Sequence, residues 1–446
     1  MREIRTVQTS IFDFYSQHEK GLQLKRLSHV LDEYPELLEH VAKDLVTENG
    51  SEIGRKALSV DSVFRCLLLK QILGVGYDEL SFLLSDSQSY RTFARLDFDS
   101  SPSKSALQAN IRRVRPVTLS TVFDELARQG FEVGAVDVET IRIDSTVVKS
   151  NIAPPSDSHQ LNDSIRVLNR YLAKSKTITG IRIRFTDFRK ASKSLAFHIF
   201  NGKKAEKDEL YEELLIISQK VAEQAARGIE KVKANHNGTA ETTRWLEHVE
   251  HYLNLMLMVI DQTEARVIDE EAVSAEEKVV SIFEPHTDII IKGQREVQYG
   301  HKVNIASDRH GFLTHVSIEE GNASDVERFI PILEAHEKRF TSVPTTVVSD
   351  GGYASQANVE LGRAQGVKRV VFHKKKGISL SVMGVKQKTY KKLKEFRAGI
   401  EGNISELKRA FNMGRALWKG YEGFHAYVWS SAIAYNLVRL ARIDPG

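Results

Sequence analysis

The chain has 446 residues, with 63 lysines and arginines against 59 aspartates and glutamates, a net charge of +4 at pH 7. That length accommodates about two to four domains with cores large enough to need no covalent staple, and the single cysteine, Cys66, excludes a disulfide framework and any multi-cysteine zinc site. The opening MREIRTVQTSIF lacks the apolar run of a secretion signal, and the longest strongly apolar stretch, Leu253 to Ile260, is too short to span a bilayer; a soluble, cytoplasmic protein with no membrane partner is expected.

Residues 1–130 read as a helical N-terminal domain. Val60 to Leu73 carries apolar residues at helical spacing and stops at Gly74 and Gly76, and Tyr77 to Leu84 gives a second, short helix. After the turn-rich stretch 97–105 a third helix is expected from Ser105 to Val114, with Ser103 or Ser105 as its N-cap and with Arg112 and Arg113 on it. Short helices followed by a basic one resemble a helix-turn-helix DNA reader, which makes Arg112 and Arg113 candidate DNA contacts. Three-helix clusters also occur without that role.

Val136 to Lys149 alternates, with Ile141, Ile143 and Val147 on one face and Arg142, Asp144 and Thr146 on the other, the pattern of a strand. Pro154 and Pro155 follow it. Helical periodicity then returns: Leu210, Leu214, Ile217 and Val221 are spaced 4, 3 and 4, and an amphipathic stretch runs from Trp245 to Val267. Residues 159–285 are therefore expected to form an all-helical insertion. Strands resume at Ile289, and Tyr299 to Ser307 with Phe312 to Glu319 make a hairpin that turns at Gly311. A helix from Ser324 to Phe340, a strand from Thr345 to Ser349, a helix from Ser355 to Gln365 and a strand from Lys368 to His373 come next. Helices around Leu393–Phe411 and Phe424–Leu440 complete the chain. Without the insertion, this order describes an α/β fold with a mixed sheet of the ribonuclease-H kind, built from 131–158 and 286–446.

Charge is segregated along this order. Val367 to Lys419 holds 15 lysines and arginines against three acids, Glu395, Glu401 and Glu406, so that this segment is +12 and the rest of the chain −8. Ile181 to Lys204 holds seven basic residues and one acid, Asp187. Basic blocks of this kind suit a phosphate backbone, although a solvated basic face is the plainer alternative.

Two-metal phosphoryl transfer needs about three carboxylates converging from different elements. Asp144 sits in an apolar strand where an unpaired charge is costly. Asp350 ends an apolar run and precedes Gly351-Gly352, which puts it at the carboxyl edge of a sheet, where open α/β sheets place their sites. In the helix around 393–411 an apolar stripe of Leu393, Phe396, Ile400, Ile404, Leu407 and Phe411 is flanked by Glu401, which shares a row with Arg397 and Lys408. The plainer readings are turn-forming aspartates and a surface Arg397–Glu401 pair. Gly399 and Gly402 weaken the helix and point to close approach of another backbone. Asp137 competes with Asp144 for the first position.

IRIDSTVVKSN around Asp144, VVSDGGYAS around Asp350, and R-x3-E-x6-K at Arg397, Glu401 and Lys408 resemble the DDE insertion-sequence transposases, in the branch with a Y-x2-R-x3-E-x6-K signature. YGHKV at 299–303 and GNASD at 321–325 resemble the strands between that family's aspartates, and the Val60–Arg115 region is similar to its helical N-terminal domain. The signature tyrosine falls on Lys394. The resemblance implies a metal-binding catalytic triad of Asp144, Asp350 and Glu401 with two Mg²⁺ ions per site, Mn²⁺ serving as a substitute. It implies Arg397, Lys408 and, by position, Lys394 on DNA; double-stranded DNA partners in the form of terminal inverted repeats and target; and a homodimer in the synaptic complex of a nucleoid-associated, prokaryotic enzyme. Two other readings stay open: a ribonuclease-H-like nuclease or resolvase without strand transfer, and a non-catalytic DNA-binding protein. His248 and His251, and Glu284 with His286 and Asp288, are weaker ligand groups, best read as a solvated helix face and a turn. No nucleophile elbow and no phosphate-binding G-x-x-x-x-G-K-[ST] loop is present.

Overall fold

A computed structural model describes residue 4 and residues 15–46, 57–97, 101–235, 238–292 and 296–443. The opening segment and part of the 97–105 turn lie outside the described residues. The chain divides into two compact units, Met1–Ser150 with His301–Gly446, and Asn151–Gly300.

The first unit begins with α1 (Glu19–Glu33), α2 (Glu36–Leu45), α3 (Val60–Leu73), α4 (Tyr77–Asp86), α5 (Gln88–Phe93), α6 (Lys104–Ile111) and α7 (Pro116–Glu132). The Ser59 side chain accepts the Ser62 N–H to start α3, and Gly74 at φ +68 closes it in the left-handed conformation that favours glycine. Almost every side chain of α3 is buried, and its charges Asp61 and Arg65 are paired, while the Lys70 ammonium lies over the Tyr77 and Trp418 rings. The fully buried Arg65 donates to Asp61 at 2.5 Å and to Asp32 at 2.9 Å, while Arg95 reaches Asp61 at 2.8 Å. Without those acceptors a buried guanidinium would be strongly unfavourable. The third expected helix stops short: α6 ends at Ile111, Arg112 caps it, and Arg113 lies in the turn before Pro116. Both arginines are exposed, at the end of the helix and not along its face. Pro116, whose missing N–H costs nothing at a first helical position, sets the break.

The next element, β1 (Thr140–Lys149), starts four residues later than the alternation suggested, because Asp137 is engaged in a turn whose side chain accepts the Glu139 N–H at 2.9 Å. The second unit contains α8 (Asp157–Thr179), α9 (Arg189–Asn201), α10 (Lys204–Ala234), α11 (Ala240–Thr263) and the short β2 (Asp288–Lys292). Leu161, Leu168, Leu214, Val221, Trp245, Val249 and Met256 form its separate apolar core. There β2 pairs antiparallel with the beginning of β3 (Glu296–Ser307), Asp288 opposite Gly300.

The chain re-enters the first unit along β3, followed by β4 (Leu313–Ile318), α12 (Asp325–Phe340), β5 (Thr346–Ser349), α13 (Gln356–Ala364), β6 (Arg369–Phe372), α14 (Gln387–Ala410) and α15 (Tyr421–Ile443). The sheet order is β2-β3-β1-β5-β6, with β4 also on β3. Pairing is antiparallel for β3–β4 and parallel for β1–β5 and β5–β6. Gly311 turns the β3–β4 hairpin at φ +79, and Asp308 braces it by accepting the Phe312 N–H at 2.8 Å and the Asp137 N–H at 2.9 Å. This is the expected mixed sheet of the ribonuclease-H kind. The stripe on α14 spans two cores. Leu393 and Phe396 join Val347, Val348, Val370 and Val371 over the parallel strands, whereas Leu407 and Phe411 join α3, α7 and the almost wholly buried α15.

Candidate active site

Strand register brings the first two carboxylates together. Ile143 is opposite Ser349, and Ser349 is opposite Phe372. The residues that follow, Asp144, Asp350 and His373, therefore lie side by side where β5 and β6 end, with Asp144 midway along the longer β1. A single 3-10 turn, Gly351–Tyr353, carries the chain away from β5. The two glycines are needed for space: a Cβ at Gly351 would lie 2.7 Å from the Cβ of Lys374, and one at Gly352 would lie 2.6 Å from Asp325 Oδ2. Lys374 and Asp325 thereby close in beside Asp350.

The third carboxylate comes from α14, which lies across β1, β5 and β6. Arg397 faces the sheet from this helix, only 9% exposed, and is the hub of the cluster. Its Nη2 donates to Asp144 Oδ2 at 2.6 Å and stands 3.9 Å from Asp350 Oδ1, while its Nη1 donates to Glu401 Oε1 at 2.6 Å. The i,i+4 pair of Arg397 with Glu401 is thus present, but as one arm of a fork that also reaches the sheet. Exposure rises from Asp144 (16%) through Asp350 (39%) to Glu401 (64%), so the cluster is anchored in the fold at one side and open to water at the other.

A second buried arginine fixes the height of α14. Arg142, two residues before Asp144, donates to Ser307 Oγ at 2.9 Å, to the Phe396 carbonyl at 3.0 Å and to Asn403 Oδ1 at 2.8 Å, and lies 4.9 Å from the Phe396 ring centroid. Burial pushes this guanidinium below its ordinary pKa, and the Asp308 carboxylate acts in the opposite direction. Gly399 makes room for it, since a Cβ there would lie 2.0 Å from Arg142 Nη1. The close approach expected at Gly399 is therefore made by a guanidinium and not by another backbone, and Gly402 has nothing within 4 Å of such a Cβ. Behind the carboxylates, the buried Tyr353 donates to Asn304 Oδ1 at 2.9 Å. Burial holds its phenol well above the usual value, with the charges of Asp325 and Asp144 adding to the effect.

The structure thus gathers Asp144, Asp350, Glu401 and Arg397. Lys394 is half-buried one turn before Arg397, with its ammonium 5.9 Å from the Tyr390 ring centroid, and Lys408 is half-buried two turns after Glu401. Arg112 and Arg113 belong to the N-terminal helices. Asp137 pairs with Arg309 at 2.7 Å on the hairpin and is absent from the carboxylate cluster. His248 stacks on Tyr171 at 5.8 Å, and Glu284 is bonded to His286 at 3.0 Å. Reading of the sequence missed Arg142, because an arginine on the polar face of an alternating strand looks solvent-facing; its signal was the glycine at 399. His373 and Lys374 were legible only as part of the basic block.

Three carboxylates with no nitrogen or sulfur donor form a hard-oxygen set that fits Mg²⁺ or Mn²⁺. As the side chains stand, no group of three His, Cys, Asp or Glu among the described residues is gathered closely enough to hold an ion, and a guanidinium lies between them. No helix among the described residues is long and apolar enough to cross a membrane.

A mixed sheet of this topology, flanked by helices, is of the ribonuclease-H kind. Family comparison narrows the class: residues 257–437 match a transposase DDE domain and residues 12–113 match a transposase domain (DUF772). Together these matches cover more than half of the chain, which belongs to the insertion-sequence DDE transposases. The first match contains Asp350 and Glu401 and begins after Asp144. No curated protein and no solved structure matches the chain.

Proposed function

We propose that Asp144, Asp350 and Glu401 are the catalytic carboxylates of a transposase that cuts DNA at the ends of its element and joins the freed 3′-hydroxyl to target DNA. The observation that carries this reading is the register neighbours Asp144 and Asp350 bound with Glu401 into one cluster through the buried Arg397. In cleavage a water oxygen attacks the phosphorus and the 3′ oxygen leaves; in transfer the 3′-hydroxyl attacks a target phosphodiester and the target's 3′ oxygen leaves. Divalent cations held by the three carboxylates would supply Lewis-acid stabilisation of the attacking and leaving oxygens. Arg397 orients the carboxylates before DNA arrives. Lys394, Lys408 and the exposed Lys374, Lys375 and Lys376 neutralise phosphates along the strand, and Arg112 and Arg113 add contacts from the helical domain at 1–130.

Replacing Asp350 or Glu401 by alanine should abolish Mg²⁺-dependent nicking of an element-end duplex and leave binding of that duplex nearly unchanged. Nicking that survives either substitution removes the triad. Joined products in a strand-transfer assay separate this reading from a nuclease or resolvase, which hydrolyses without joining.

A further inference from the structure

We propose that an exposed stripe on α9 is a contact surface for a DNA strand, on which unpaired bases stack against Phe197 and Phe200 while Lys190 and Lys193 neutralise the adjoining phosphates. The choice of DNA as the occupant rests on the transposase reading; the surface itself is read from the second unit alone.

At 100° per residue, Lys190, Lys193, Phe197 and Phe200 fall in one row about 80° wide and about 15 Å long. The opposite face of α9, Ser192, Leu195, Ala196 and Ile199, is buried. The helix has thus already satisfied its core, yet it holds two phenylalanine rings in water, 64% and 67% exposed. Charge complementarity identifies what covers them. The stretch 181–204 carries seven basic residues and one acid, and that acid, Asp187, is taken up by Arg189 at 2.5 Å. Among the described residues, Lys190 and Lys193 take part in no ion pair.

Immediately before the helix, Arg184 and Phe188 share an open recess of about 390 Å³ with Lys220, Arg227 and Glu223, which pairs with Arg227 at 3.5 Å, so Arg184 and Lys220 continue the cations past the start of the stripe. A protein-binding core is depleted in lysine. A membrane-surface helix turns a broad apolar face outward, whereas the broad apolar face of α9 is committed to the interior. Aromatic rings interleaved with cations along one row suit a single strand, whose bases stack on any ring and whose phosphates meet the lysines.

The test uses the full chain without divalent cation and two fluorescent probes, a fully paired duplex and the same duplex with an internal unpaired stretch. Phe197→Ala with Phe200→Ala should weaken binding of the interrupted probe about tenfold or more and change the paired probe little. Phe197→Trp with Phe200→Trp should restore it, which separates stacking from a folding defect. Lys190→Gln with Lys193→Gln should weaken both probes and lower the slope of log affinity against log salt by about 2. Unchanged binding of the interrupted probe by the alanine pair overturns the proposal. So does a stripe variant that dissociates a dimer in sedimentation while binding both probes normally. Asp350→Ala should bind both probes as wild type, so its nicking result judges the catalytic reading independently.

Discussion

Alanine at position 399 should have opposite effects in two backgrounds. In the wild-type chain a Cβ at Gly399 meets Arg142 Nη1 at 2.0 Å and Cζ at 2.9 Å. That guanidinium has nowhere to retreat, because Ser307 Oγ, the Phe396 carbonyl and Asn403 Oδ1 hold it at 2.8 to 3.0 Å. Relief of the clash must either break one of these charge-assisted bonds or lift α14, and overpacking with a lost bond costs about 3 kcal/mol. Arg142→Ala alone should cost about 3 kcal/mol or more, since it leaves buried acceptors without a donor. In that background the three nearest atoms to the new Cβ, all from Arg142, are gone, and the same Gly399→Ala replaces a helical glycine, a gain of about 1 kcal/mol. The coupling between the two positions is then about 4 kcal/mol, above the usual range for neighbours because the effect changes sign. Hydrogen exchange of peptides from α14 reads local opening directly and avoids assigning one unfolding free energy to a chain of two units. An effect of Gly399→Ala with the same sign in both backgrounds would refute the strut.

Other consequences can be checked on the same protein. Burial pushes the Cys66 thiol up to about 12, with the Asp61 charge adding, so a thiol reagent should leave it unlabelled until α3 opens. His315 is buried with neither ring nitrogen hydrogen-bonded, and burial, then the charges of Arg339 and His336, push it down to about 3. An imidazole that charges only when unfolded contributes stability above about pH 6.5 and loses it as pH falls toward 3, at about 1.4 kcal/mol per pH unit; His315→Leu should flatten the acid limb of the urea midpoint between pH 6.5 and pH 5, and an unchanged slope refutes the assignment. Replacing Lys374, Lys375 and Lys376 by glutamine should lower DNA affinity and reduce the salt slope by about 3, with the same factor for every sequence; a sequence-dependent loss would show that they read bases.

Most elements were legible because their signals were local. Ser59 and Gly74 delimit α3, the Gly311 turn needs a positive φ, and β5 ends where its apolar run meets Asp350-Gly351-Gly352. The aspartates of the site were legible for the same reason. What could not be read was decided by tertiary contact. Arg142 has the sequence pattern of a solvent-facing residue, and only the packing of α14 over β1 buries it. Regular heptad-like spacing on α14 gave one stripe, whereas the fold uses its two halves for two cores. Arg112 and Arg113 were placed on a helix that ends at Ile111, before the next one starts at Pro116. The hub position of Arg397 was half visible: the spacing to Glu401 gave one arm, and the arm to Asp144 spans 253 residues of sequence.

Arg397 also sets a condition on the proposed binding of divalent cations at the carboxylates. At an effective dielectric near 20, two unit charges about 4 Å apart interact by about 4 kcal/mol, and Asp144, the least exposed of the three carboxylates, lies closest to this value while water screens Glu401 most. A cation entering the cluster must therefore compete with the guanidinium for Asp144 in particular. Arg397→Ala removes the guanidinium that bridges Asp144 and Glu401 and stands 3.9 Å from Asp350. Its stability in a chelator should fall, and Mg²⁺ should restore more than it adds to the wild type; saturation at about a hundred times the dissociation constant corresponds to about 2.7 kcal/mol. The measurement is the Mg²⁺-dependent shift of the unfolding midpoint, which needs no catalytic turnover, with Asp144→Asn and Asp350→Asn as variants in which the shift should vanish. Equal Mg²⁺ shifts in the wild type and Arg397→Ala would show that the guanidinium and the metal do not share the same charges.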